Sequence, residues 1–388
     1  MERLRVIVYN TAMSSKKFSP FSKRTEAWSA ESNPLSAKLL QVRDSGQKIL
    51  DLTISNPTRC EFSQIQKNFE SLNHPQNSTY EPDAHGLLEA RRAICRYYKK
   101  QHSAEVHENQ VFITANTSEA YSFVFKLLTD PGDSILVPKP SYPLLHYLAQ
   151  LHDLRLEHYS LPENIRATDA RALLLIHPNN PTGNYVSDLP KTDIPLIADE
   201  VFLDYSFNGK RKTFATHQET LCFTLSGISK ILGLPQMKIS WIIVSGPEKL
   251  RMEAIQKLEV IADTYLSAGT PAQNALPAWL EQTDKIQNEI RARISKNAHF
   301  AMEKLAGSSV KPLMPEGGWS MILKMPEIKS DEEWALFLLE GKGVLAHPGF
   351  LFDFEEDSIL VISLLVQEEI FRAGIERILE AATSSLSS

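Results

Sequence analysis

Six short apolar runs, each bounded by turn-forming or charged residues, constrain the fold of this chain more than any other feature. They are Val111-Phe112-Ile113-Thr114, Ile135-Leu136-Val137, Ala172 to Ile176, Ile194 to Ala198, Leu221 to Leu225 and Ile239 to Val244. None shows the regular polar alternation of a strand with one wet face, so each demands cover on both sides. Such runs suit a mostly parallel sheet sandwiched between helices. Helical spacing appears between them. Ala120 to Leu128 follows the N-cap-type sequence Asn116-Thr117-Ser118-Glu119, and Leu144 to Leu151 follows the loop Pro140-Ser141-Tyr142-Pro143. Earlier, a helix from Pro34 is closed by Gly46, a strand spans Ile49 to Ile54 ahead of the turn Asn56-Pro57-Thr58, and helical spacing from Leu87 follows a loop over Tyr80 to Gly86. The expectation is an α/β fold in which strand, polar turn and helix recur.

With 388 residues and 43% hydrophobic content, the chain exceeds what one core usually supports, so a second unit is expected. From Thr270-Pro271 the pattern turns helical to about Leu305, with Pro277 read as a break between two helices. Beyond it, a capping box at Ser330-x-x-Glu333, the Gly-rich Glu316-Gly317-Gly318-Trp319, a strand at Ile359 to Leu364 and a last helix from Glu368 read as a smaller α+β unit. The division expected is 1–66 for an N-terminal arm and part of the small domain, 67–276 for a large cofactor-binding domain, and 277–388 for the small C-terminal domain.

A net charge of -6 carries no basic excess, and the cluster Lys16, Lys17, Lys23 and Arg24 reads as a solvated arm, so no nucleic-acid partner is expected. Three widely spaced cysteines, Cys60, Cys95 and Cys222, fit reduced thiols of a cytoplasmic protein better than a disulfide framework or a metal site. No apolar run approaches the ~20 residues of a membrane helix. The first residues, MERLRVIVYNTAM, lack a signal peptide's cleavage site and read as a loose lead.

In a doubly wound sheet, ligands bind beyond the carboxyl ends of the strands, so the polar residues following each run are the candidate site. After Thr114 come Thr117 and Ser118 at a helix start, where free N–H groups and the dipole favour a phosphate. After Ile176 comes His177-Pro178-Asn179-Asn180-Pro181-Thr182-Gly183, after Ala198 comes Asp199-Glu200, and after Leu225 come Ser226-Gly227-Ile228-Ser229 and Lys230. A lysine in a partly desolvated pocket loses its proton readily and becomes an amine nucleophile able to form a Schiff base. Taken singly, Asn180 reads equally as a turn residue, Asp199 as a strand-end cap, Tyr142 as a packing aromatic, and Thr117 and Ser118 as N-caps. Together at successive strand ends they make a site. An acid, an amide, a phosphate cradle, an aromatic and a reactive amine are what pyridoxal 5'-phosphate requires.

Asn180-Pro181-Thr182-Gly183, Asp199-Glu200-Val201-Phe202, and Ser229-Lys230 with a cation eight residues on resemble, in this order, the signatures of the class I/II aminotransferases of pyridoxal-phosphate fold type I. The likeness runs from about Leu50 to Leu365. It implies a large domain with a mostly parallel sheet covered by helices, plus a smaller α+β domain. By it, Lys230 is the Schiff-base lysine and proton carrier, Asp199 the partner of the pyridine nitrogen, Asn180 a donor to the ring hydroxyl, and Tyr142 the stacking ring. Thr117 and Ser118 hold the phosphate, with Ser226 and Lys238 grouped among the cofactor-binding residues. Tyr80 resembles the tyrosine that reaches the phosphate of a neighbouring subunit, which implies a homodimer with shared sites. The activity implied moves an amino group from an amino acid to a 2-oxo acid in two half-reactions. Carbon–sulfur β-lyases and decarboxylases of the same fold type share these motifs, and release of pyruvate or ammonia without an acceptor separates them.

Departures from the pattern bear on substrate and cofactor. Lys238 stands where the family usually has arginine, keeping charge but losing bidentate binding. Phe202 replaces the usual tyrosine beside the ring hydroxyl, and Gly227 occupies the place, three before the lysine, where many members have serine. Val361 sits at the position of the family's carboxylate-binding arginine. Either another cation such as Arg59 takes that role, or the substrate lacks a free carboxylate there.

Overall fold

The structure is a computed structural model that describes residues 20–26, 28, 33–63, 69–160, 168–186, 189, 192–209, 212–266 and 268–387. The lead Met1 to Met13, with Lys16 and Lys17, lies outside the described residues. After a two-residue strand β1 (Leu50–Asp51), the strands β2 (Val111–Thr114), β3 (Ser134–Pro138), β4 (Arg155–Tyr159), β5 (Leu173–Ile176), β6 (Leu196–Asp199), β7 (Cys222–Gly227) and β8 (Ser240–Ser245) follow in order. The last seven form one sheet in the order β2-β8-β7-β6-β5-β3-β4. It is parallel except for β8, which runs antiparallel to both β2 and β7.

The six apolar runs are six of these seven strands, and their side chains alternate between two apolar layers. Phe112, Ile135, Leu174, Ile197, Phe223 and Val244 enter one layer, and Leu136, Leu173, Leu175, Leu196 and Ala198 enter another. Each of the leucine, isoleucine, valine and phenylalanine side chains among them, fully withdrawn from water, stabilises by about 1.5–3 kcal/mol. β4 carries no apolar run because it is an edge strand whose Arg155, Glu157 and His158 meet solvent at least in part. The helix Glu248–Tyr265 also escapes sequence reading, since only Ala254, Leu258 and Ala262 of its eighteen residues are buried.

Two local expectations are corrected. Pro277 does not separate two helices but lies inside Thr270–Glu281. A proline there leaves the carbonyl of Gln273 without its helical donor, yet Ala275, Leu276, Trp279 and Leu280 are buried on either side and hold the helix together. The break falls at Gln282, before Thr283–Lys304. Of Ile49 to Ile54, only Leu50 and Asp51 pair, in parallel with β11 (Val344–Leu345), because the Asp51 carboxylate turns the chain by accepting from the Thr53 amide and hydroxyl.

The C-terminal part holds β9 (Lys311–Leu313), β10 (Ser320–Lys324), β12 (His347–Pro348) and β13 (Ile359–Ser363) in an antiparallel sheet ordered β12-β13-β10-β9. The capping box forms as expected, with Ser330 and Glu333 each bonding the other's backbone. The Ser363 amide donates to the Leu52 carbonyl at 2.7 Å, tying the entry segment to this sheet.

Candidate active site

β5, β6 and β7 are adjacent and parallel, so Ile176, Asp199 and Gly227 end side by side and the residues that follow them share one cleft. β7 carries Ser226 and Gly227 within the strand, and one helical turn, Ile228–Ile231, then lifts Lys230 clear of it. Lys230 Nζ stands 5.3 Å from the ring centre of Phe202 and 5.1 Å from that of Trp319. Its carbonyl accepts from Tyr205 Oη at 2.6 Å, and Tyr205 packs edge-on against Trp319 at 4.9 Å. The amine therefore sits among aromatic rings on a pinned backbone, the kind of partly dehydrated setting in which a lysine becomes a nucleophile.

Asp199 closes β6. Tyr121 Oη donates to its Oδ2 at 2.7 Å and the Val201 amide to its Oδ1 at 3.1 Å. Burial raises the carboxyl pKa, while these two bonds and the Lys230 charge pull it back. A carboxylate so placed gains from a cationic N–H partner. Tyr121 was missed by sequence reasoning, although it follows Thr117 by one helical turn and so shares its face.

Thr117 and Ser118 open the helix Thr117–Leu128. Asn116 Oδ1 accepts the Glu119 amide at 3.0 Å, which leaves the amides of Thr117 and Ser118 as first-turn donors without an intrahelical acceptor. Asn180 Oδ1 accepts from Ser320 Oγ at 3.3 Å, across to the C-terminal part. The turn that carries Asn180 ends at Gly183, whose φ of +77° and whose added Cβ, 2.6 Å from the Gly317 carbonyl oxygen, admit only glycine. Tyr142 is half exposed at 45% and close enough to Tyr121 to raise the pKa of that phenol further. Lys238 is exposed in a left-handed conformation just after Pro235–Met237. Tyr80 is 70% exposed, and Arg59 is exposed at the end of the turn Pro57–Arg59.

Ser226 is placed differently from expectation. It is 2% exposed, pairs across β7–β8 with Trp241 of the core, and its hydroxyl lies close enough to the buried Tyr98 phenol to pull that pKa down, so its side chain serves the core under the sheet. Val361 is also buried. In the β10–β13 register, Ser320 pairs with Ser363 and Ile322 with Val361. Ser320 faces Asn180, so alternation puts Ile322 and Val361 on that same cleft-facing side. His347 is paired across from Val361, and burial pushes its imidazole down to about 4. Phe352 packs in the same cluster. The wall where the family's arginine was expected is thus apolar, with one neutral imidazole.

These residues fit pyridoxal phosphate. The Trp319 indole N–H is buried with no acceptor among the described residues, the Asp199 carboxylate is partly buried at the end of its strand where a ring N–H would meet it, and the helix start offers amides to a phosphate.

Comparison with known proteins agrees. A profile of "Aminotransferase class I and II" matches residues 47–378. The chain is similar to "Glutamate-pyruvate aminotransferase AlaA" of Haemophilus influenzae, 28% identical over 367 residues, 85% of this chain and 90% of that one. It is similar also to "Alanine aminotransferase" of Mycobacterium tuberculosis, 26% identical over 380 residues, 89% and 88% of the two chains. Among solved structures, an alanine aminotransferase from Pyrococcus furiosus superposes with a TM-score of 0.81 at 23% identity, covering 90% of this chain and 96% of that one, which supports the fold.

Proposed function

The chain belongs to the aminotransferase class I and II family, and from that premise we propose that Lys230 and Asp199 carry its chemistry in a cleft completed by Thr117, Ser118, Tyr142, Asn180 and Lys238. The protein is a pyridoxal 5'-phosphate-dependent aminotransferase of amino acids and 2-oxo acids. The cofactor, when bound, supplies a carbonyl carbon for amine exchange and a ring that withdraws electrons once its nitrogen is protonated.

With the cofactor bound, Lys230 Nζ would be the group that holds its carbonyl carbon, and the same amine, once free, would serve as the base and then the acid that moves the substrate α-proton. Asp199 would hold a proton on the ring nitrogen, and the Tyr121 hydroxyl with the Val201 amide keeps the carboxylate aimed. The Thr117 and Ser118 amides would bind the phosphate, and Lys238 would add charge as a point donor. Tyr142 would stack on the ring and Asn180 would donate to its hydroxyl. Support comes chiefly from one observation: Asp199 closes β6, and Lys230 follows by one helical turn the end of β7, the strand paired in parallel with it.

Tyr80, exposed on this chain, reaches the phosphate of a second copy, so the working form is a homodimer with shared sites. Residues 67–276 bind the cofactor, while 1–66 and 277–388 make the second part of the cleft. The free thiols Cys60, Cys95 and Cys222 support a cytoplasmic location. The relatives' names favour glutamate, pyruvate or alanine as partners in the exchange. An amino-donor panel tests the reading, with conversion to pyridoxamine phosphate followed by absorbance. Alanine or glutamate should convert the wild type once per site and leave Lys230→Ala unchanged; ammonia released over many turnovers without acceptor would mark a lyase instead.

A further inference from the structure

Gly227 and Ser240 are direct partners across the antiparallel pair β7–β8, beside the helix start proposed to hold the phosphate. A Cβ built on Gly227 would lie 2.3 Å from Ser240 Oγ and 2.9 Å from both Ser240 Cα and the Ile239 carbonyl oxygen. The φ of Gly227 is 175°, extended backbone open to any residue, so glycine is required here by the neighbour and not by the conformation. Two side chains cannot share this space. The one present is the Ser240 hydroxymethyl group.

Ser240 also pairs with Thr114, the last residue of β2, and its Oγ lies 3.4 Å from Thr117 Oγ1. Thr117 is the first residue of its twelve-residue helix. A contact of 3.4 Å is long for two hydroxyls, whose usual separation is about 2.7–2.8 Å. Ser240 is only 1% exposed, so bulk water does not satisfy it either. The hydroxyl is poised for a stronger acceptor at the helix start. Lys238 precedes it by two residues and Lys230 follows Gly227 by three, which brings two cations to the same strand ends.

We propose that Ser240 supplies the hydroxyl that binds the cofactor phosphate, replacing across the strand pair the side chain that Gly227 lacks. The proposal rests on the reading of this cleft as the pyridoxal-phosphate site. It assigns the role to a residue ten positions after Lys230, and it removes Ser226, which is 2% exposed and pairs with Trp241 of the core under the sheet, from the cradle.

The test titrates full-length protein, stripped of cofactor, with pyridoxal phosphate and separately with pyridoxal, which has no phosphate. Ser240→Ala should weaken pyridoxal phosphate about 10- to 100-fold, the range for a hydrogen bond to a charged group. Its affinity for pyridoxal and its apoprotein Tm should stay at wild-type values. Gly227→Ser alone should bind poorly, because its side chain meets Ser240. Gly227→Ser combined with Ser240→Gly should recover to within about threefold of wild type, a coupling that a double-mutant cycle isolates. Unchanged affinity of Ser240→Ala for pyridoxal phosphate, or equal losses for both ligands, would overturn the proposal. So would a double variant no better than Gly227→Ser. A wild-type protein with no affinity for pyridoxal phosphate would instead overturn the cofactor site, and the proposal with it.

Discussion

Tyr121 Oη donates to Asp199 Oδ2 at 2.7 Å, linking the helix that starts at Thr117 to the strand that ends in the acid. Burial pushes the phenol pKa well above its ordinary value, so Tyr121 stays a donor throughout the working pH range. Its bond lowers the Asp199 pKa against the opposing effect of burial. Tyr121→Phe removes that donor and leaves only the Val201 amide. We expect kcat to fall ~10-fold, the scale of one hydrogen bond to a charged group, while the cofactor remains bound. Steady-state kinetics and the visible absorbance of the purified variant check both parts.

Asp199→Asn goes further. A neutral amide cannot hold a proton on the ring nitrogen, so kcat should drop by orders of magnitude while the helix start still binds the phosphate. Parallel loss of cofactor affinity and activity would assign Asp199 a structural role.

Glu200 predicts a pH dependence of stability. It is 2% exposed, accepts from Thr213 Oγ1 at 2.6 Å and from the Phe214 amide at 2.5 Å, and burial pushes its carboxyl from 4.5 up to about 7. The folded chain therefore keeps a proton that the unfolded chain has lost between these values. Stability falls as pH rises from about 4.5 to about 7, and the loss is complete above it. A shift of this size is worth about 3 kcal/mol at most. Glu200→Gln keeps an acceptor for the Phe214 amide but cannot ionise, so it should be more stable than wild type at pH 8, with the advantage gone at pH 5. Urea denaturation of both proteins at the two pH values decides it; an advantage independent of pH would show that Glu200 does not titrate there.

What the sequence made legible follows from how each feature is encoded. The strands buried on both faces announce themselves as apolar runs, and Val111–Thr114 forms as read. Lys230 and Asp199 are legible because each follows such a run. The edge strand Arg155–Tyr159 is not, since solvent allows it charges. Tyr121, Tyr205 and Trp319 act through contacts between elements that no local pattern records. Ser226 and Ser240 show the same limit at one site. Both are serines near strand ends, and only the β7–β8 register tells which hydroxyl faces Thr117.

The substrate carboxylate gives the last prediction. Val361 is 2% exposed on a wall shared with Ile322, Phe352 and the neutral His347. A carboxylate brought into a closed site without a charged or hydrogen-bonding partner costs several kcal/mol, so a cation from another element is required if the donor is an ordinary amino acid. Arg59, exposed at the end of the turn after β1, is the cation tested for that role. Arg59→Ala should raise the KM for amino acids ~100-fold, a loss near 2.7 kcal/mol, with kcat little changed, because such a contact binds substrate and transition state alike. Val361→Arg reports on the other wall. If KM is indifferent to Arg59→Ala while Val361→Arg raises kcat/KM for common amino acids, the relocation fails, and the native donor is one that presents no carboxylate to Val361.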